Sequence, residues 1–329
     1  MRITFDVRNT GLGNNGGSLT IVQSANTLQK LGNDVCIIGD SSNQYKWTKL
    51  ETEYYIVKKE TDIPSADIII ATGYHSVVKT VQALKRCGVK VHWIRGWETW
   101  LEDEEWIVKN VLRTPTVKVV NSIGLQKKLQ SYGISSIIVY PGYDLDKFFP
   151  QNIRRSKSFV VGGLYVVDKH ENTKRTKWIL DVYRELSRKH SDIKLWMFGI
   201  SKQSDSLVSH YLYQPNIQQK NWFYNHVDVW LSSSVLEGLH MPPAEAMMTE
   251  CPVIGVDSPL AGTQDYLEHM KTGIVTKNNF ERFFQGVCQL YEDGKLRRLL
   301  GKNARKKIEE MGSREKNMKK FVKFLETLL

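Results

Sequence analysis

Long apolar runs are missing from this 329-residue sequence. That absence excludes a membrane-spanning helix, which needs about 20 apolar residues in succession. The longer apolar stretches, such as Ile68–Ala71, have the length of buried strands. Nor does the amino terminus offer the apolar core of a secretory signal, because Met1-Arg-Ile-Thr-Phe-Asp-Val7 alternates like a first strand. A cytoplasmic protein is expected, at most peripheral on the inner face of a membrane. Cysteine is scarce and scattered, at Cys36, Cys87, Cys251 and Cys288. No C-x-x-C pair and no histidine cluster at zinc spacing accompanies them, so reduced thiols are expected and no metal site.

Acidic residues are outnumbered, 35 against 46 lysines and arginines, for a net charge of +11. The excess is concentrated at residues 295–329, where 12 basic residues face Glu309, Glu310, Glu315 and Glu326, a net +8. A solvated helical face accounts for this, and so does attraction to anionic lipid headgroups or to DNA. Charge alone does not choose. The hydrophobic share of 41% and charged share of 25% are those of an ordinary globular chain, and the length suits two domains.

Strands alternate with helices along both halves. Strands are expected at Arg2–Val7, Asp34–Ile38, Tyr54–Val57, Asp67–Ala71, Lys90–Ile94, Val117–Asn121 and Ser136–Val139. Between the first two, Leu19, Val22, Ala25, Leu28 and Leu31 recur at helical spacing, with Ser18 as a candidate N-cap and Gly32 as the stop. After a polar connection at Gln151–Ser158 the pattern restarts. It gives strands at Ser158–Val161, Ile193–Phe198, Val227–Ser232, Pro252–Val256 and Gly273–Val275, a helix at Lys174–His190, and helices at the end. Such alternation implies parallel sheets covered on both faces. Two α/β domains follow, 1–150 and 151–312, with a final helix at 313–329 that can cross back to the first. Ligands are expected at the carboxyl ends of the strands, in a cleft where the two sheets face each other.

The segment that carries most chemical information is Ser232-Ser-Ser-Val-Leu-Glu-Gly-Leu-His-Met-Pro-Pro-Ala-Glu-Ala-Met-Met248, continuing to Pro252-Val-Ile254. Glu237 and Glu245 stand eight positions apart, across a glycine turn and a Pro pair suited to opening a helix. Amides at such an opening suit a phosphate, and carboxylates on either side suit hydroxyl groups. This segment closely resembles the E-x7-E signature of retaining, GT-B-type glycosyltransferases of family four, or group one. Glu237, Gly238, Met241-Pro242, Glu245-Ala-Met247 and Pro252-Val-Ile254 fall on that signature in register. The resemblance implies that Glu237 contacts the donor sugar, that Gly238 and Leu239 meet sugar and diphosphate, and that Glu245 holds the ribose. His240 stands where a second glycine is common, which implies an unusual donor-sugar pocket.

The resemblance extends over nearly the whole chain and implies two Rossmann-like domains. Gly16-Gly17 is similar to the family's amino-terminal glycine loop. Gly142, Asp144, Phe148 and Pro150 match its interdomain connection, so Asp144 and Asp146 read as linker and not as a metal-binding pair. Lys174 matches the lysine that pairs with the donor diphosphate, where developing charge is held without a metal. Gly162-Gly163-Leu164 stands where the family has Gly-Arg-Leu. This places Gly163 at the donor and leaves Lys169 or Arg175 to supply the missing charge. In the first half, His75 and Glu98 follow strands and are candidates to meet the acceptor hydroxyl. Trp93, Trp97, Trp100 and Trp106 crowd that region, and a stacking platform for a sugar or a base would draw on those that are not core. The implied activity needs no cofactor. It transfers sugar, with retention, from a nucleotide sugar to a glycan or lipid-linked hydroxyl. Transfer to hydroxymethylated DNA bases, a sugar-nucleotide epimerase, and a non-catalytic nucleotide-sugar binding module are the alternatives.

Overall fold

A computed structural model of the chain describes residues 1–41, 48–153, 157–166, 171–203 and 205–329. They form two compact units, Met1–Gly142 with Ser313–Leu329, and Tyr143–Gly312.

In the first unit the chain runs β1 (Arg2–Asp6), α1 (Gly16–Lys30), β2 (Asp34–Gly39), β3 (Glu53–Ile56), β4 (Ile68–Ala71), α2 (Tyr74–Thr80), β5 (Val89–Ile94), α3 (Glu104–Ile107), β6 (Val117–Val120), α4 (Ile123–Gln130) and β7 (Ile137–Ile138). All seven strands are parallel, in the order β3-β2-β1-β4-β5-β6-β7. The central strand β4, Ile68-Ile-Ile-Ala71, is buried throughout, as expected of a strand covered on both faces. Edge strand β3 is largely exposed. Helix α1 starts at Gly16, three residues before the start expected with Ser18 as N-cap. Asn15 is the N-cap, and its side chain accepts from Ser18 N at 2.9 Å.

The second unit runs β8 (Phe159–Leu164), α5 (Glu171–Lys174), α6 (Thr176–Ser187), β9 (Ile193–Gly199), β10 (His210–Tyr213), α7 (Ile217–His226), β11 (Val229–Ser232), α8 (Met241–Met248), β12 (Val253–Asp257), β13 (Ile274–Lys277), α9 (Phe280–Glu292) and α10 (Gly294–Met311). Its six strands are again parallel, in the order β10-β9-β8-β11-β12-β13. Strand β10 has no counterpart in the sequence reading. It is a short, partly exposed edge strand, His210-Tyr-Leu-Tyr213, whose residues lack the Val and Ile that mark a buried strand. Within Tyr143–Pro150, Phe148 is buried against Tyr224, and the amide of Phe149 donates to Asn221 Oδ1 at 3.1 Å, so this segment packs with the second unit. Among the described residues no helix is long and apolar enough to cross a membrane.

The last helix, α11 (Arg314–Glu326), belongs to the first unit. Its Met318, Phe321 and Leu325 are fully buried in the same core as Phe5, Ile21, Leu28 and Trp93, and the Phe321 ring lies 4.9 Å from that of Trp93. The helix comes so close to Gly142 (φ +80°) that a β-carbon there would lie 2.3 Å from Arg314 Cα. Only glycine tolerates both the conformation and the contact. Several of the basic residues in this region are tied internally. Arg305 donates to the carbonyls of Phe148 and Met248, Lys307 pairs with Glu268, Arg314 bonds the Pro141 carbonyl, and Lys319 pairs with Glu315. Of these, the Lys307 pair draws on an acid outside the +8 count, and Arg305 and Arg314 are committed to backbone carbonyls. Phe321→Ala is expected to cost about 3–5 kcal/mol of unfolding free energy by emptying the first unit's core. Urea unfolding measures this, and a loss below 1 kcal/mol contradicts the packing described.

Candidate donor and acceptor sites

In each parallel sheet the strand order reverses direction at one place, between β1 and β4 in the first and between β8 and β11 in the second. The crevice beyond the carboxyl ends of the strands at such a point is where open α/β sheets bind ligands. The segments that follow these four strands carry Gly16 and Gly17, His75, Lys174 and Arg175, and the run Glu237–His240.

In the second unit, Lys174 and Glu237 are 63 positions apart, yet Lys174 Nζ donates to Glu237 Oε1 at 2.6 Å. Backbone ties bring them together. The Val235 amide donates to the Thr173 carbonyl at 2.9 Å, and the Ser233 hydroxyl donates to the carbonyls of Lys174 (2.7 Å) and Arg175 (3.1 Å). Carbonyls used in this way coincide with a break in the helix. The helix expected at 174–190 is two pieces, α5 and α6, joined by Arg175 in the left-handed conformation at φ 55°. On the other side, the Glu237 amide donates to Leu260 O and the His240 amide to Gly262 O. Gly262 (φ +71°) is required here, because a β-carbon would lie 2.7 Å from Glu237 Cβ and 2.9 Å from His240 N. Burial alone would push the Glu237 carboxyl up. Its neighbours His240 and Lys174, with hydrogen bonds from Lys174 and Ser234, outweigh burial and hold it below the ordinary carboxylate range. Burial holds the His240 imidazole down, at about 4, so it is neutral near pH 7.

Prolines 242 and 243 have no N–H, and the His240 amide is already bonded to Gly262, so the start of α8 offers an anion little. The amides of Gly238 and Leu239, like that of Met241 at the first position of α8, have no acceptor among the described residues. Gly238 and Leu239 are buried. Gly163 is placed in β8, facing α6, where a β-carbon would meet Ile179 Cδ1 at 2.8 Å, so its lack of a side chain lets α6 close on the sheet. The Arg175 guanidinium donates to Asn278 Oδ1 and lies 4.6 Å from the Trp178 ring centre. Lys169 lies outside the described residues. Asp144 accepts amide hydrogens from Lys147 and Phe148 through its carbonyl, and among the described residues no three His, Cys, Asp or Glu side chains are grouped to hold a metal.

Glu245 is buried within α8, whose residues Pro243–Met248 are all buried. Its two oxygens are engaged by α7: Lys220 Nζ donates to Oε1 at 2.7 Å and the Tyr224 hydroxyl to Oε2 at 3.0 Å. Neither partner is suggested by the sequence motif. They stand four apart on α7, a helix absent from the sequence reading, and the Phe148 ring lies 5.2 Å from Lys220 Nζ. A carboxylate has about four acceptor positions, so these two bonds leave acceptor capacity on Glu245. Glu245→Ala would leave a buried hydroxyl and a buried ammonium unpaired, at a cost of about 1–3 kcal/mol or more. The informative variant is therefore Glu245→Gln. It is expected to fold, melt within a few degrees of wild type, and bind nucleoside diphosphate at least tenfold more weakly by calorimetry; unchanged affinity removes Glu245 from the site.

In the first unit, Gly16 and Gly17 are the first two residues of α1, and their amides have no helical acceptor by position. Arg95 ties this turn to the β4–α2 connection by donating to Gly17 O (3.1 Å) and Thr72 O (3.0 Å). Glu98 Oε2 accepts from the Tyr74 amide at 3.2 Å. Burial raises the Glu98 carboxyl to about 7, opposed in part by that bond and by Arg95. His75 pairs with Glu102 at 3.2 Å and stacks on Trp106. Of the four tryptophans, Trp93 and Trp97 are core, Trp100 is exposed, and Trp106 is covered in part by His75. Between the ordinary carboxylate value and about 7 the folded chain binds more protons at Glu98 than the unfolded chain does. Stability should therefore fall as pH rises through that window, by at most about 1.4 kcal/mol per pH unit, then level off. Glu98→Gln should abolish that component of the slope in unfolding curves taken from pH 5 to 8; an unchanged slope contradicts the raised value.

Residues 159–293 match the family model of group 1 glycosyl transferases. The capsular polysaccharide biosynthesis glycosyltransferase CapM of Staphylococcus aureus is 29% identical over 167 residues, covering 46% of this chain and 42% of that protein. The match thus spans less than half the length of that relative. Among solved structures, HepE of Anabaena in complex with UDP aligns with TM-score 0.81 at 14% identity, over 99% of this chain and 100% of the other. Sucrose-phosphate synthase from Thermosynechococcus elongatus gives 0.78 at 15%, over 100% and 99%. TarM gives 0.80 at 13%, over 98% of each chain. At these identities the structural likeness is one of fold. The chain has the GT-B fold, and its residues 159–293 are similar to the group 1 glycosyl transferases.

Proposed function

We propose that this protein is a retaining glycosyltransferase that needs no metal, takes sugar from a nucleotide-sugar donor held by the second unit, and delivers it to a hydroxyl of a glycan or lipid-linked acceptor. One observation carries the reading. At the switch point of the second sheet a cation, Lys174, a carboxylate, Glu237, and the unpaired amides of Gly238 and Leu239 lie together, and the helix that follows them, α8, carries the buried carboxylate of Glu245. A nucleotide sugar presents the matching sequence of groups: sugar hydroxyls, a diphosphate and a ribose. The reading is supported by the neighbours, since HepE is described with UDP-glucose, TarM with UDP and α-GlcNAc-glycerol, and CapM acts in capsular polysaccharide biosynthesis.

In the proposed reaction the acceptor hydroxyl approaches the anomeric carbon on the side from which the nucleotide departs. The bond between anomeric carbon and phosphate oxygen breaks as the new glycosidic bond forms. The hydroxyl proton passes to the departing phosphate oxygen, and nucleoside diphosphate is released. Lys174 and the Gly238 and Leu239 amides stabilise the charge developing on that phosphate, work that is electrostatic and needs little reorganisation. Glu237 accepts hydrogen bonds from the transferred sugar. Glu98 and His75 belong to the first unit and are assigned to the acceptor hydroxyl; in that role Glu98 accepts most strongly when ionised.

The test is a donor and acceptor screen followed by NMR of the purified product. The expected outcome is a new glycoside with the anomeric configuration of the donor, formed at an unchanged rate in excess EDTA. An inverted product contradicts retention. Activity lost in EDTA and restored by Mn²⁺ or Mg²⁺ contradicts the metal-free assignment. Sugar-nucleotide isomer formed without any acceptor points to an epimerase instead.

A further inference from the structure

His240 is the least expected residue in the donor site, since its ring fills space beside the carboxylate that holds the sugar. The ring is buried, with 5% of the residue exposed. Its backbone is pinned at both ends, the amide by Gly262 O at 3.0 Å and the carbonyl by the Tyr266 hydroxyl. The ring itself is fixed by Ser232, whose Oγ lies 3.1 Å from Nδ1. The other nitrogen, Nε2, lies 3.3 Å from Glu237 Oε1, yet is not aligned as a hydrogen bond and has no partner among the described residues. Oε1 is the oxygen that Lys174 occupies at 2.6 Å. A buried, unpartnered donor is costly and calls for an explanation.

The arrangement also poses a problem that the donor reading, on which this inference rests, must solve. Lys174 cannot hold Glu237 and neutralise an incoming diphosphate with undiminished strength in both. When the ammonium turns to phosphate, a buried carboxylate loses its strongest partner, and its charged form becomes unfavourable. We propose that His240 is a positioning residue that exchanges with Lys174: as Lys174 moves to the diphosphate, the Nε2–H of His240 takes over Glu237 Oε1 and keeps that carboxylate ionised and aimed at the sugar. Ser232 sets the required tautomer by donating to Nδ1, which leaves the proton on Nε2. A neutral imidazole suits the task, because it donates without adding a second cation that would compete for phosphate. The groups facing Glu237 from the packed elements are Lys174 at the end of α5, His240 and Ser234 from its own loop, and Tyr266, whose own neighbour is Asp265. Of these, His240 and Lys174 are the two nitrogens placed at Oε1.

The exchange predicts a proton count. UDP, GDP and ADP are titrated into the full chain by calorimetry near pH 6, in buffers of different ionisation enthalpy, and the tightest binder is taken forward. The phosphate's own proton change is common to all variants and cancels. With His240→Phe, Glu237 is expected to take up an additional fraction of a proton on binding, its pKa in the complex rising relative to wild type. His240→Gln, which restores an N–H donor, should return the uptake toward the wild-type value. Ser232→Ala keeps the ring but releases the tautomer and should give an intermediate uptake, so the test survives if the Phe variant does not fold. Uptake in His240→Phe and Ser232→Ala equal to that of wild type overturns the exchange while leaving the donor site standing. If wild type binds none of the three nucleotides, the donor reading fails and the exchange fails with it.

Discussion

The ion pair between Lys174 and Glu237 is the contact on which the proposed donor site depends. Its two residues come from connections after β8 and β11, the strands on either side of the switch point. Holding them together requires a helix to break at Arg175, a serine to satisfy two carbonyls and a glycine at φ +71° to let a second loop pass close to Glu237. Each feature is a small local cost, and each is accounted for by the same juxtaposition of charges. The pair is also poised to be divided. On the proposed reading the diphosphate becomes the acceptor for Lys174, and the imidazole of His240, 3.3 Å from Oε1, is the donor left to Glu237.

The periodicity of the sequence was a sound guide wherever burial decides structure. The Ile68–Ala71 run, the spacing of Val22, Ala25 and Leu28, and the restart at residue 158 all correspond to elements of the fold. It failed where burial is partial or where the backbone is used for something else. His210–Tyr213 is an edge strand without an apolar signature. The first turn of α1 is capped by Asn15, because the two glycines already adopt helical backbone. The break at Arg175 answers to Ser233 and Thr173, whose partners lie about 60 positions away. No local rule reports a contact of that range.

The candidate site was legible to the extent that its residues sit in one motif. Glu237, Gly238, Leu239, His240 and Glu245 are close in sequence and close in space. Lys174 was legible only through resemblance, and Lys220 and Tyr224 not at all, since nothing in α7 announces that a carboxylate from the next helix will need them. Gly163 has a packing role besides the one the resemblance implies. Its geometry is explained by packing against Ile179, a role that spacing cannot separate from ligand approach. The basic carboxyl-terminal stretch likewise looks different once Arg305, Lys307 and Arg314 are seen to serve as struts.

The central claim is that the turn after Glu237 receives a diphosphate, and the amides of Gly238 and Leu239 report on it directly. Amide hydrogen exchange and NMR shifts at these two residues, measured with and without saturating nucleoside diphosphate, give the test. The account predicts strong protection and a downfield shift at both amides, with the Glu237 and His240 amides, already bonded to Leu260 and Gly262, little changed. Saturating nucleotide that leaves Gly238 and Leu239 exchanging as they do in the free protein would contradict it.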